Sequence, residues 1–442
     1  MRHGRRSLVW DKNNAIGGLC RTIAYKGYRF DIGPHRFYTK NDEVDKLWHD
    51  ILASDVVRVD RLTRIYYKNK FFEYPIKPLN ALRRLGLYTS FKAGLSYLAA
   101  RNFEDWIIRK FGKVLYRIFF KAYTEKVWGL PCKEIGSEWA AQRIKGLSLP
   151  SAIRTALFGQ RRGKKQIKTL IDAFDYPRTG AGLVYEKMAE LIRAGGSTIM
   201  TGTVGTRFLR EGSRVVRVEG GDEQSQNVEV EHHFSSIPLT EFILKLDPHP
   251  PDEVLNAARA LCYRDHITVN LILNRPSAFP DNWIYVHSPK VKIARIADYG
   301  NFLKDMLANE RGTCVSVEYF AFADEDLWKM DDADLIQFAS EELDKLGLIR
   351  PNEIDDGFVV REKDSYPVYY VGHGPEFEKI RKYVDTFENV TLIGRGGKFK
   401  YNSQDHSILT GLLAARNYLG ADHNLWDVNT EQEYLEEKKL RQ

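Results

Sequence analysis

The stretch SLVWDKNNAIGGLCRT, from Ser7 to Thr22, constrains the fold more than any other part of the chain. A short apolar strand, Ser7-Leu8-Val9-Trp10, ends on the acidic Asp11, and the pair Gly17-Gly18 follows at once. An acid at the tip of the second strand of a dinucleotide-binding unit hydrogen-bonds a ribose hydroxyl, and paired glycines let a backbone pass close to a pyrophosphate. In such a unit a strand, a G-x-G-x-x-G turn and a helix come before the acid. Here only Met1 to Arg6 precede the strand, and GRGGKF at Gly394 to Phe399 is too short and stands at the other end. RHGRRSLVWDKN therefore reads as the end of a first helix running into a second strand. About 20 to 25 further residues are expected upstream, judged from a βαβ unit of roughly 30.

At 442 residues the chain has room for two or three packed units, because one core rarely grows past about 250 to 300 residues. Its 43% hydrophobic and 28% charged content is that of an ordinary globular protein. No apolar run approaches the roughly 18 residues of a membrane span, and the first residues lack the apolar core of a secretory signal, so a cytoplasmic location is expected. Cys20, Cys132, Cys262 and Cys314 lie far apart without C-x-x-C spacing, which suggests neither a zinc site nor a disulfide framework. No metal is expected.

The net charge of +7 is partly concentrated in GQRRGKKQIK, with Arg161, Arg162, Lys164, Lys165 and Lys168. A solvated loop is the plainer reading, and a membrane-surface or polyanion contact the sharper and weaker one. No zinc finger, RNA-binding aromatic signature or helix-turn-helix pattern accompanies it, so nucleic acid is not expected as a partner.

Along the chain, TIAYKGYRFDIGPHRF and TRIYYKNKFFEYPI alternate short strands with turns. In FEDWIIRKFGKVLYRIFFKAY, Phe103, Ile107, Phe111, Leu115, Ile118 and Phe119 recur three and four apart, which predicts one helical apolar stripe. A glycine-rich loop then precedes a helix over Leu183 to Ala194, stopped by Gly195-Gly196. SRVVRVEGG and NVEVEHHFSSIPL read as two strands. NVTLIGRGGKFKYNSQDHSILTGLLAARNYLG reads as a strand, a glycine turn and a helix ending at Gly420.

GGLCRT, GPHRFYT, KAYTEKVWG and IGRGGKFKYNSQDHS occur in this order over Asp11 to Asp405, and in order and spacing they resemble the UDP-galactopyranose mutases, within the amine oxidase and protoporphyrinogen oxidase superfamily. The resemblance implies an α/β fold: a discontinuous Rossmann-like FAD-binding domain (1–50, 175–245, 385–420), a helical insertion (78–170), a mixed-sheet substrate domain (51–77, 246–384) and a tail (421–442). It assigns Asp11 to the adenosine ribose, where the family usually has glutamate, and lays Gly17, Gly18 and Arg21 along the FAD pyrophosphate. Gly394 would allow close approach, and the helix start at Asp405, His406 and Ser407 would meet the flavin ribityl or pyrimidine end. His35 would sit near the isoalloxazine ring. Arg295 would lie close to flavin and substrate, and His35 and Arg295 are the catalytic candidates. Trp128 would line the substrate pocket with Tyr123 and Lys126 beside it, and Tyr366, Arg395 and Tyr401 would bind substrate. A guanidinium fork reads a diphosphate bidentately, and a phenol adds a hydrogen bond at low entropy cost.

One departure concerns the substrate: AAQRIKGL keeps Arg143 but has Leu147 where the family carries an arginine for the phosphates, which leaves room for a differently charged substrate. The leading expectation is an FAD enzyme acting on a nucleotide sugar or related glycan precursor. By resemblance, reduced flavin N5 attacks the anomeric carbon and expels the nucleotide diphosphate, with NAD(P)H or another reductant as a candidate partner. The alternative is an oxidoreductase of amine oxidase or protoporphyrinogen oxidase type, with hydride transfer from a small-molecule substrate to flavin. The third is a flavin-free binding module.

Overall fold

The computed structural model describes residues 4–74, 102–137, 139, 173–221 and 225–430. Arg143, Leu147, the basic segment at 161–168 and most of the expected helical insertion lie outside these residues. In chain order the strands are β1 (Leu8–Asp11), β2 (Thr22–Tyr25), β3 (Tyr28–Asp31), β4 (Val56–Asp60), β5 (Thr63–Tyr67), β6 (Lys70–Glu73), β7 (Ala173–Pro177), β8 (Thr198–Thr201), β9 (Val204–Glu211), β10 (Arg214–Gly221), β11 (Ser225–Glu229), β12 (His233–Ser235), β13 (Leu246–Asp247), β14 (Tyr263–Leu273), β15 (Trp283–Val286), β16 (Arg295–Asp298), β17 (Thr313–Ala321), β18 (Ile354–Pro367) and β19 (Val390–Leu392). The helices used below are α1 (Asp42–Leu52), α2 (Phe103–Leu115), α3 (Ala122–Trp128), α4 (Leu183–Ala194), α5 (Leu239–Leu244), α6 (Asp252–Ala260), α7 (Asp332–Lys345), α8 (His373–Val384) and α9 (Gln404–Tyr418).

The Rossmann-like part is built from parallel pairs. β1 pairs with β8, Leu8 opposite Thr198 and Asp11 opposite Thr201, and β12 pairs with β19, His233 opposite Val390. The α4 and α9 spans carry apolar faces that meet α1: Val184 of α4 packs with Phe37, Val44, Trp48 and Leu52, and Ile408, Leu409 and Leu412 of α9 close the cluster. A buried carboxylate joins the segments. Asp31, at the end of the β2–β3 hairpin, accepts from Thr22 Oγ1 (2.6 Å), Tyr176 Oη (2.6 Å) and the Ala181 N–H (3.0 Å) ahead of α4. With four acceptor sites and three donors, its burial is matched by hydrogen bonds.

The second part is a seven-stranded sheet in the order β18-β14-β17-β16-β15-β5-β6. Both β14 and β17 are buried over their whole length, eleven and nine residues, and β14 pairs antiparallel with each of its neighbours. Ile267, Val269, Leu271, Val315, Val317 and Tyr319 pack here against Leu335, Ala339 and Leu343 of α7. A third core joins α5, α6 and α8 to β9 and β10 through Phe208, Val215, Phe242, Val254, Ala257 and Ile380.

Two sequence expectations are corrected. NVEVEHHFSSIPL is two strands in different sheets, because β11 pairs antiparallel with β10 while β12 turns to run beside β19. The single stripe expected from Phe103 to Phe119 is divided: Gly112 sits at φ +82° within α2, and Tyr116 to Lys121 form a wide π turn. The resulting rotation sends Phe103, Ile107 and Tyr116 to the core around Trp128, and Phe119 to Ile65 and Phe72. A π turn inserts one residue per turn and so shifts the apolar face.

Candidate functional site

One face of the seven-stranded sheet carries polar residues inside otherwise apolar runs. Cross-strand register places Arg295 of β16 opposite Glu318 of β17 and opposite Tyr285 of β15. Glu318, fully buried, takes Arg295 Nε on one oxygen and Nη2 on the other, both at 2.5 Å, and accepts from His266 Nε2 of β14 at 3.0 Å. Burial opposes ionisation of Glu318, but the Arg295 guanidinium outweighs it and holds the carboxyl at about 2. Desolvation likewise pulls on Arg295, and Glu318 overcomes it to hold the guanidinium charged, well above its ordinary value. The Arg295 side chain keeps 20% exposure, so its outer edge faces an opening rather than the core.

The loop after β3 lies on this pair because Gly33 has no side chain: a Cβ there would stand 2.9 Å from Glu318 Oε2 and 3.2 Å from Arg295 Nη2, and its φ of +82° already favours glycine. His35 follows on this loop, with Nε2 against Leu19 O (2.8 Å) and Ile32 O (3.1 Å). Burial pulls its pKa down, Asp31 opposes, and the charges of Arg295 and Arg395 reinforce the drop.

Across the opening, Tyr366 at the end of β18 and Tyr401 ahead of α9 stack at 5.5 Å, and Arg395 lies over both rings at 4.8 and 4.9 Å. Arg395 is held by neutral groups: Nε donates to Asn402 O (2.9 Å) and Nη1 to Ser365 O (3.4 Å). Burial and the neighbouring Tyr401 push Tyr366 up to about 12, and burial raises Tyr123 well above its ordinary value, so both phenols stay protonated donors at neutral pH. Trp128 is buried behind Tyr401 (6.1 Å). Its indole N–H has no acceptor among the described residues. Lys126, two residues earlier, is spent on the carbonyls of Val286, Ser288 and Ile293 (3.0, 3.0 and 2.6 Å) and fastens α3 to the sheet.

The cofactor candidates are engaged to unequal degrees. Asp11 closes a turn, accepting from the Asn13 N–H at 2.9 Å. Gly17 and Gly18 open a single helical turn to Cys20, whose thiol lies near Tyr185, Gln404 and Arg395. Arg21 is buried and engaged by Glu362 and by Gly18 O (2.9 Å). Asp405 and His406 are both tied to Ser403 Oγ (2.5 and 2.7 Å), and the Ser407 N–H starts the α9 ladder by donating to Ser403 O. Gly394 donates its N–H to Thr410 Oγ1 at 2.9 Å. Gly396 and Gly397 lie backbone to backbone on β12, where a Cβ would fall 2.8 Å from Ser236 O and 2.5 Å from Ser235 O.

The arrangement matches a known architecture. A family model described as an NAD(P)-binding Rossmann-like domain fits residues 1–51. The crystal structure of a reduced UDP-galactopyranose mutase superposes with a TM-score of 0.80 at 19% identity, covering 97% of this chain and 92% of that one. The chain has the fold of the UDP-galactopyranose mutase. The same fold extends to a protein described as a protoporphyrinogen oxidase from Exiguobacterium sp. 255-15 (TM-score 0.69, 16% identity, 94% and 93% coverage) and to cyclohexylamine oxidase from Brevibacterium oxydans (0.60, 14%, 93% and 92%).

On this fold the described residues fit a flavin at the ring end: the α9 start, the backbone cradle at Gly394–Gly397 and the opening between Arg295 and Arg395 stand together. At the pyrophosphate end the fit is partial, since Arg21 is already matched by Glu362. Sequence reasoning missed Glu318, His266, Tyr285 and Glu362. The signal was present in HITVNLIL and TCVSVEYFAF, where a histidine and a glutamate interrupt runs too apolar to expose them, and a charge buried in a strand needs a partner.

Proposed function

We propose that this chain is a flavoenzyme whose opening between Arg295 and Arg395 binds an anionic small molecule, a nucleotide sugar or related glycan precursor being the best match. The observation that carries the reading is the imbalance of charge. Arg295 is neutralised by Glu318, whereas Arg395 meets only carbonyls and aromatic faces and has no carboxylate partner among the described residues. A half-buried guanidinium left in this state favours an anion, and its planar fork suits a diphosphate.

FAD would be held by the turn at Gly17–Gly18, the Gly394–Gly397 cradle and the α9 start at Asp405–Ser407; bound there, it supplies the electron-transfer and nucleophilic chemistry of the flavin ring. The protein's own part is orientation and exclusion of water. Arg395 fixes the anionic end of the substrate, the protonated phenols of Tyr366 and Tyr123 and the Tyr401 hydroxyl donate to its oxygens, and Arg295, held by Glu318, which His266 also contacts, offers the outer edge of its guanidinium as a fixed donor. His35, kept neutral, closes the side of the opening next to the cofactor candidates.

Hydride transfer from an amine, the second reading, draws support from the tyrosine wall, since aromatic faces attract cations. Arg395 stands against it, because two cations repel at this range. The deciding experiment is a visible spectrum of the purified protein, then titration with UDP-galactose under dithionite and with a primary amine in air. A UDP-sugar-dependent change in the reduced flavin bands is expected. Bleaching by the amine with no response to UDP-sugar would establish the oxidase reading instead, and a protein that takes up no flavin would leave a binding module.

A further inference from the structure

The loop that carries Arg395 and Tyr401 is gripped from outside the site. Beyond α9 the chain comes back to lie against this loop over residues 424–430, with a single helical turn at Leu425–Asp427 and with Leu425 and Val428 buried. Lys400 Nζ donates to the Trp426 and Val428 carbonyls (3.0 and 2.5 Å). The Lys398 ammonium, 3% exposed, stands 2.9 Å from the centre of the Trp426 ring, where an aromatic face offsets part of the cost of burying the charge. Trp426 is held in turn by Asp385, which accepts from its indole N–H at 3.1 Å, and by an edge-on contact with Phe377.

Asn429 carries this grip to the site. Its Nδ2 donates to the Tyr401 carbonyl at 3.1 Å and to Asn402 Oδ1 at 3.2 Å. Asn402 is 1% exposed. Its own Nδ2 donates to Gly394 O at 3.1 Å, which leaves Oδ1 towards Asn429, and its main-chain carbonyl accepts from Arg395 Nε at 2.9 Å. Arg395 is located by the carbonyls of Asn402 and Ser365 and by the rings of Tyr366 and Tyr401. One carbonyl and one ring of these four therefore belong to the residues that Asn429 holds. A buried acceptor that loses its donor raises the free energy until it turns or water reaches it, and either change moves the backbone at Asn402.

We propose that Asn429 is a positioning residue, acting through Asn402 to set Arg395 and Tyr401 at the opening, and that residues 424–430 form the strap that delivers it. The placing of the loop follows from these hydrogen bonds, whereas its effect on an anion rests on the reading of Arg395 given above. Asn429 sits at φ +62°, in the left-handed region that asparagine and glycine share, so Asn429→Gly keeps the backbone and removes the donor. Asn429→Asp keeps the shape and puts a charged acceptor where the donor was.

The experiment measures UDP-galactose binding by isothermal titration for the unaltered full chain, Asn429→Gly, Arg395→Gln and the double variant. Hydrogen exchange is read alongside at the Lys400 and Tyr401 amides, which donate to Arg395 O and Tyr369 Oη. Asn429→Gly should weaken binding at least about fivefold in the otherwise unaltered chain and less than about twofold in the Arg395→Gln background. It should also speed exchange at both amides at least about tenfold. A residue that only holds the fold weakens binding equally in both backgrounds; that result overturns the proposal, and so does exchange left unchanged. If the unaltered chain binds no UDP-galactose, the anion reading falls by itself and exchange decides the strap, faster exchange at both amides supporting it and unchanged exchange overturning it. Where Asn429→Gly does not fold, Asn429→Asp takes its place in every comparison with the same expected results.

Discussion

Glu318 sits under the site with no exposure and three charge-assisted contacts, two from Arg295 and one from His266. Glu318→Gln keeps the shape and removes the charge, leaving Arg295 unbalanced; a loss of about 3 kcal/mol in stability is expected from a denaturant titration. Its carboxyl titrates at about 2 against an ordinary 4.5. A depressed carboxyl stabilises the fold fully above pH 4.5 and loses that contribution as pH falls towards 2, so wild type should lose stability over this window and Glu318→Gln should lose less. Arg395 differs because no carboxylate balances it. Arg395→Gln should leave the melting temperature nearly unchanged and weaken UDP-galactose binding ten- to a hundredfold, about 1.4 to 2.8 kcal/mol, by isothermal titration. Arg395 was named from the sequence because GRGGKFKY resembles a mutase segment and a guanidinium suits a diphosphate; Glu318 was not named, because a lone glutamate in a strand names no partner until β16 is beside it.

At the scale of elements, α2 and α3 show how local rules set a global contact. Gly112 stands at a backbone conformation, φ 82° and ψ 157°, that an L side chain enters at a cost of about 1 to 3 kcal/mol, so Gly112→Ala should lower stability by that amount in thermal unfolding. Downstream, three carbonyls converge on Lys126 Nζ, which burial pulls down to about 7 while Glu342 opposes. Lys126→Met leaves those carbonyls without their donor and should cost at least about 2 kcal/mol, with release of α3 visible as faster exchange along Ala122–Trp128. The helix over Leu183–Ala194 was readable to the residue because a glycine stop and one apolar face agree. The Phe103–Phe119 stripe was misread because a π turn leaves a periodicity that still looks helical, and NVEVEHHFSS because strand propensity carries no record of which sheet a residue joins.

Across the whole molecule, the site is a junction: the sheet supplies Arg295, Glu318 and His266, the helical segment supplies Tyr123 and Trp128, and the Rossmann-like part supplies His35, Arg395 and Tyr401. A ligand that bridges these parts stabilises all of them together. FAD at a hundred times its Kd should raise stability by about 2.7 kcal/mol, read as an upward shift of the melting curve with FAD concentration.

By itself the sequence determined the local events: the acid at the tip of β1, the glycine turns, the amphipathic helices, and the residue types at His35, Arg295, Arg395 and Tyr401. Those follow from short-range sterics and from side-chain chemistry, which a single chain carries in order. Which of these groups is neutralised was decided only by tertiary structure. Arg21 and Arg295 read alike in sequence as anion ligands, yet Glu362 and Glu318, each more than twenty residues away along the chain, take up their charge. Arg395 keeps its own charge. The reason is that electrostatic balance depends on distance in space, and strand register sets that distance.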